Sequence, residues 1–108
     1  MAIVIATLVT TLLASTGTGF ASDHQTVHTV VISGFKFTPE KLHVKSGDTV
    51  IWINRDIVPH TATATDKSWD TGAIGFNEQR KFILTKAQTL TYYCIYHPAM
   101  TAELVVGN

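Results

Sequence analysis

The chain has 108 residues, with eight basic and eight acidic side chains that cancel to a formal charge of zero. That length holds one domain at most, and without a basic stripe to neutralise phosphates the composition argues against nucleic acid or an anionic membrane surface as a partner. Hydrophobic residues make up 45% of the sequence, enough for a core and too many for a disordered chain.

From the start of the chain, Met1 to Phe20 carry no charged side chain, and Ala2 to Ala14 are mostly Ala, Ile, Val and Leu, broken by Thr7, Thr10 and Thr11. A small-residue stretch ending Gly19-Phe20-Ala21 follows. This layout predicts a secretory signal peptide over residues 1–21, cleaved after Ala21, although no Lys or Arg precedes the apolar run. The strongly apolar part is about 13 residues, short of the roughly 20 a spanning helix needs, which disfavours a retained anchor. The expected mature domain is therefore 22–108, free of stable membrane insertion, in the periplasm or another exported compartment. Export favours disulfides, yet Cys94 is the only cysteine.

The mature chain reads as strand after strand. Thr26 to Ile32 is β-rich, Ser33-Gly34 breaks it, Phe35-Lys36-Phe37 alternates and Pro39 turns the chain. Leu42 to Lys45 is a short strand ending in the turn Ser46-Gly47-Asp48. Thr49 to Asn54 is almost continuously apolar, as expected of a central strand covered on both faces with Trp52 in the core. A loop runs from Asn54 to Pro59, and a Thr/Ala alternation from His60 to Thr65. Asp66 to Asn77 is a long glycine-containing loop whose Trp69 packs over one end of the fold. Glu78 to Leu84 and Thr89 to Cys94 are strands around a turn at 85–88, and Glu103 to Val106 is the last strand. No segment keeps a 3.6-residue period. Seven to eight short strands with regular turn signals predict an all-β, Greek-key β-sandwich.

The lone cysteine has informative neighbours: Cys94, His97 and Met100 stand at i, i+3 and i+6. Taken alone, Cys94 reads as a buried core thiol and Met100 as core filler. Together they are three of the four donors of a blue-copper electron-transfer site, which combines two imidazoles, one thiolate and a long, weak axial methionine. The thiolate couples strongly to the metal, imidazoles suit both Cu(I) and Cu(II), and the thioether favours Cu(I). The fourth donor has to come from another loop, and His60, after Pro59 at the end of the loop leaving the central strand, is the natural candidate. His24, His28 and His43 have no spacing that closes a metal site.

The run from Val50 to Ala64 together with Tyr92 to Met100 resembles the cupredoxins, and within that family the amicyanins. These carry a Trp-Ile-Asn-Arg-acidic-x-x-Pro-His run and a Cys-x2-His-x2-Met loop; here they correspond to Trp52 to His60 and Cys94 to Met100. The resemblance implies one copper ion, cycling between Cu(I) and Cu(II), with His60, Cys94, His97 and Met100 as ligands. It implies that Asn54 ties the two ligand loops together by hydrogen bonds, and that Tyr92 points inward with Cys94. The sequence departs from the family at Gln88-Thr89-Leu90, at Tyr96 and at Ala99, the last two altering the surface beside His97.

The expected function is a type 1 blue copper protein, monomeric and not an enzyme, that carries single electrons between larger redox partners. His97 is the expected exit point, ringed by Val58, Pro59, Pro98 and Ala99. The resemblance implies a dehydrogenase and a c-type cytochrome as those partners. An exported copper carrier or buffer is the alternative use of the same ligands, but the Met- or His-rich tracts of such proteins are lacking. A Cys–His nucleophile pair is disfavoured because no third orienting group is apparent, and a metal-free adhesion domain leaves the spacing unexplained.

Overall fold

The computed structural model describes Gly17, residues 25–85 and residues 89–107. The expected signal peptide 1–21, Gly17 excepted, lies outside the described residues, as do residues 22–24, the turn residues 86–88 and Asn108. Eight strands follow in chain order: β1 Val27–Ser33, β2 Lys36–Thr38, β3 Lys41–Lys45, β4 Thr49–Asn54, β5 Thr63–Ala64, β6 Gln79–Ile83, β7 Thr89–Cys94 and β8 His97–Gly107. There is no helix among the described residues. The strands form two four-stranded sheets, ordered β2-β1-β4-β6 and β3-β8-β7-β5. Within them β1 runs parallel to β4 and β3 parallel to β8, and the remaining pairs are antiparallel. The fold is the expected β-sandwich.

The period of two explains what each strand buries. Val30 and Ile32 of β1, Val50 and Trp52 of β4, and Leu90, Tyr92 and Cys94 of β7 point between the sheets. Ala102, Leu104 and Val106 of β8 face them. Trp69 does pack over the sandwich interior, its ring 5.4 Å from Trp52 and 5.6 Å from Tyr92. Burial pushes the Tyr92 phenol well above its ordinary value, so it stays neutral.

Two expectations change. β4 is not equally covered on its two faces: Val50, Trp52 and Asn54 are buried, while Thr49, Ile51 and Ile53 are half-buried. The outer isoleucines sit opposite Thr29 and Val31 of β1 and opposite Lys81 and Gln79 of β6, so cross-strand neighbours flank them on the outer face. The last strand is longer than expected. β8 begins at His97, so only Ile95 and Tyr96 separate it from β7.

The parallel register of β1 and β4 sets Val27 beside Thr49 at one end and Ile32 beside Asn54 at the other. The second end carries the β1–β2 turn and the loop to His60. The first is closed by the buried Asp48, whose carboxylate accepts from the Lys45 and Thr26 amides and pairs with His28 Nε2 at 2.9 Å. The Lys45 amide foremost, then His28 and the Thr26 amide, hold this carboxyl at about 2 rather than 3.8. A lowered folded-state value means that Asp48 contributes stability above pH ~4 and loses it as the pH falls through ~2. Acid unfolding followed by circular dichroism should therefore show a limb below pH ~4 that flattens in Asp48→Asn. An identical limb in the variant would remove Asp48 from that role.

Candidate metal centre

His60, Cys94 and His97 come together at the Asn54 end of the sandwich, their donor atoms all within 4.8 Å of one another. Cys94 Sγ lies 3.6 Å from His60 Nδ1 and 3.9 Å from His97 Nδ1. Both imidazoles thus turn the same nitrogen toward one sulfur. His60 and Cys94 are 0% exposed, whereas His97 is half-buried. The β7–β8 pairing explains the approach of Cys94 to His97. The two are cross-strand partners, and the next pair is Tyr93 with Thr101, so Pro98, Ala99 and Met100 are extra residues in the ladder. Met100 resumes the inward phase of β8 and shares the core cluster with Cys94.

His60 is oriented from behind. Its Nε2 lies 2.8 Å from Asp56 Oδ2. Desolvation pushes the Asp56 carboxyl up, but the Phe35 and Gly34 amides and the His60 ring outweigh it and hold the group below its ordinary value. An ionised Asp56 can only accept, so Nε2–H donates, and in the neutral imidazole this leaves the Nδ1 lone pair for a metal. The same carboxylate receives Gly34 N–H at 2.8 Å and Phe35 N–H at 2.9 Å, fastening the β1–β2 turn to the His60 loop.

Asn54 is fully buried, and its bonds run differently from the expectation. Its Nδ2 donates to Val58 O at 2.8 Å and to Ile74 O at 2.9 Å, and its Oδ1 accepts from Asp56 N at 2.8 Å. It braces the loop that carries His60, but none of these bonds reaches the Cys94 side. Thr61 makes that link. Its hydroxyl accepts from Ile95 N at 2.9 Å, and its own amide points at Cys94 Sγ at 3.4 Å.

The expected surface residues Val58, Pro59, Pro98 and Ala99 are all exposed. Sequence reasoning missed Phe35, which is 49% exposed and packs edge-on against both imidazoles, 5.2 Å from His60 and 4.8 Å from His97. A bulky aromatic directly after the turn glycine Gly34 was the available signal. Ile57, Ile95 and Tyr96 add further exposed apolar surface on the ligand-bearing segments. Two imidazole nitrogens and a thiol converging in a mostly buried cluster, with a thioether on the adjoining strand, make a donor set suited to copper.

The cupredoxin-like domain family model matches residues 2–106. The chain belongs to the cupredoxin-like family. Among curated proteins, this cupredoxin is similar to amicyanin from Paracoccus denitrificans, 38% identical over 82 residues covering 71% of the chain and 63% of the relative. It is also similar to amicyanin from Paracoccus versutus, 26% identical over 87 residues, covering 71% of the chain and 62% of the relative. The match thus spans under two thirds of the length of both relatives. A solved structure of an oxidised amicyanin variant superposes with a TM-score of 0.70 at 32% identity, covering 74% of this chain and 81% of that one. A Cu-containing nitrite reductase from Thermus scotoductus superposes with a TM-score of 0.71 at 26% identity, but over only 22% of its own chain. The likeness to that enzyme is confined to one part of it.

Proposed function

We propose that this cupredoxin binds one copper ion through His60, Cys94, His97 and Met100 and carries single electrons between larger redox proteins. The observation that supports it most is the convergence of two Nδ1 atoms on one buried sulfur, within 4.8 Å. Bound copper supplies the one-electron couple. The chain's own part is to hold the donors still, since a geometry common to both oxidation states keeps reorganisation small. Asp56 fixes the His60 ring, Asn54 braces its loop and Thr61 fastens that loop to the residue after Cys94. These bonds are made by the protein alone, so they hold His60 and its loop without a metal.

His97 is the half-buried ligand and is the proposed exit for the electron. The exposed Val58, Pro59, Pro98 and Ala99 around the ligand segments, with Phe35, Ile57 and Tyr96, give a largely apolar surface. Such a surface suits brief encounters, in which release matters more than affinity. By analogy with the family the partners are a dehydrogenase and a c-type cytochrome, met by a monomer. The uncharged, apolar start of the sequence supports export to the periplasm or a similar compartment, with cleavage after Ala21. Complete burial of His60 and Cys94 disfavours a copper carrier, which needs an exchangeable site.

One equivalent of Cu(II) added to the purified chain should give an intense blue thiolate-to-copper absorption band, lost in Cys94→Ala and in His60→Ala. A colourless wild type, or only the faint band of ordinary Cu(II), would overturn the proposal and leave Cys94 a core residue.

A further inference from the structure

The β1–β2 connection is a two-residue turn, with Ser33 paired to Lys36 and Gly34 and Phe35 between them. Both turn residues have positive φ, 61° at Gly34 and 59° at Phe35. Two successive positive φ values are the pattern of the tight hairpin turn that favours Asn-Gly or Gly-Gly. Glycine occupies this region freely, whereas a bulky side chain there is strained. Phenylalanine is thus an unfavourable choice for the turn itself. Its ring does not repay the strain through deep burial, being 49% exposed. What the conformation achieves is placement: the ring stands edge-on to both imidazoles, at interplanar angles of 86° to His60 and 84° to His97. The backbone is clamped in that position, because Asp56 takes the amides of Gly34 and Phe35 with the same carboxylate that holds His60 Nε2. Strain retained in a bulky residue that touches two ligand candidates points from geometry to function.

We propose that Phe35 is a positioning residue, a cap that lies across the two imidazoles and slows the departure of copper from the centre. The cap rests on the copper reading above. In the metal-free chain the strain of the positive φ at Phe35 offsets its edge contacts, so the ring adds little net stability. Once a shared ion pins both rings, Phe35 has to move before His97 can swing away and admit a competing ligand. The residue therefore acts on the kinetics of the loaded centre more than on the stability of the fold.

Phe35→Gly removes the ring and relieves the strained φ, while Phe35→Tyr restores a ring. Three quantities decide the matter: the blue band after addition of Cu(II), the urea midpoint of the metal-free chain, and the rate at which excess Cu(I) chelator removes copper from the reduced chain. In Phe35→Gly the urea midpoint should stay level or rise, while copper removal accelerates roughly tenfold or more, the factor two edge-to-face contacts are worth. Phe35→Tyr should restore the wild-type removal rate. A blue wild type whose Phe35→Gly variant keeps the wild-type removal rate would overturn the cap alone. A clear fall in the urea midpoint of Phe35→Gly would overturn it too, by making Phe35 a packing residue. A wild type without the blue band would overturn the copper reading, and the cap with it.

Discussion

Asn54→Ala is expected to lower the unfolding free energy of the metal-free chain by about 3 kcal/mol. The side chain is fully buried at the end of β4, in the inward phase shared by Val50 and Trp52, where an apolar residue is the ordinary choice. Its three hydrogen bonds satisfy Val58 O, Ile74 O and Asp56 N. Truncation strands these groups unequally. Ile74 O keeps the His60 amide at 3.2 Å, whereas Asp56 N and Val58 O lose their side-chain partner. One or two orphaned groups at about 1–3 kcal/mol each give the expected figure. A domain of this size is stable by only roughly 4–12 kcal/mol, so the loss is severe. Urea titration at an unchanged slope is the measurement. A loss under about 1 kcal/mol would mean that water replaces these bonds and that Asn54 is not the brace of the His60 loop.

What the sequence revealed and what it hid divide along physical lines. Strands show because alternation and β-branched residues are local signals, and β1, β3, β4, β6 and β7 lie within a residue or two of their expected bounds. The spacing of Cys94 and His97 was readable because a two-residue turn needs no long-range information. The start of β8 was hidden. Pro98 and Ala99 look like loop, and only the ladder reveals that they are extra residues between two paired positions. The direction of the Asn54 bonds was hidden for another reason. An asparagine declares that it will bond, but its partners depend on where the loop containing Ile74 returns. Phe35 was hidden because positive φ on an aromatic runs against local preference. Such conflicts between local rule and global structure concentrate at functional places.

Thr61 tests whether the two ligand segments are coupled through the protein rather than through the metal alone. Hydrogens along its network can be assigned by elimination. Thr63 Oγ1 donates to Asp70 Oδ1 at 3.0 Å, so its oxygen must accept from the Thr61 hydroxyl at 2.9 Å. Thr61 Oγ1 in turn accepts from Ile95 N–H at 2.9 Å. The chain of donors therefore runs in one direction, from the residue after Cys94 to a carboxylate, an arrangement in which each bond strengthens the next. Thr61→Val keeps the volume and removes the hydroxyl. It strands the Ile95 amide and deprives Thr63 of its donor, for an expected loss of about 2–3 kcal/mol. Thr63→Val breaks the same chain one step farther away and leaves Ile95 bonded to Thr61. If the network positions Cys94, Thr61→Val should shift or weaken the blue band while Thr63→Val, at a comparable loss of stability, leaves it near wild type. Equal spectra in the two variants would mean that Thr61 stabilises the fold without setting the geometry of the sulfur. In that case the close approach of the Thr61 amide to Cys94 Sγ, at 3.4 Å, survives on the β5–β7 pairing alone.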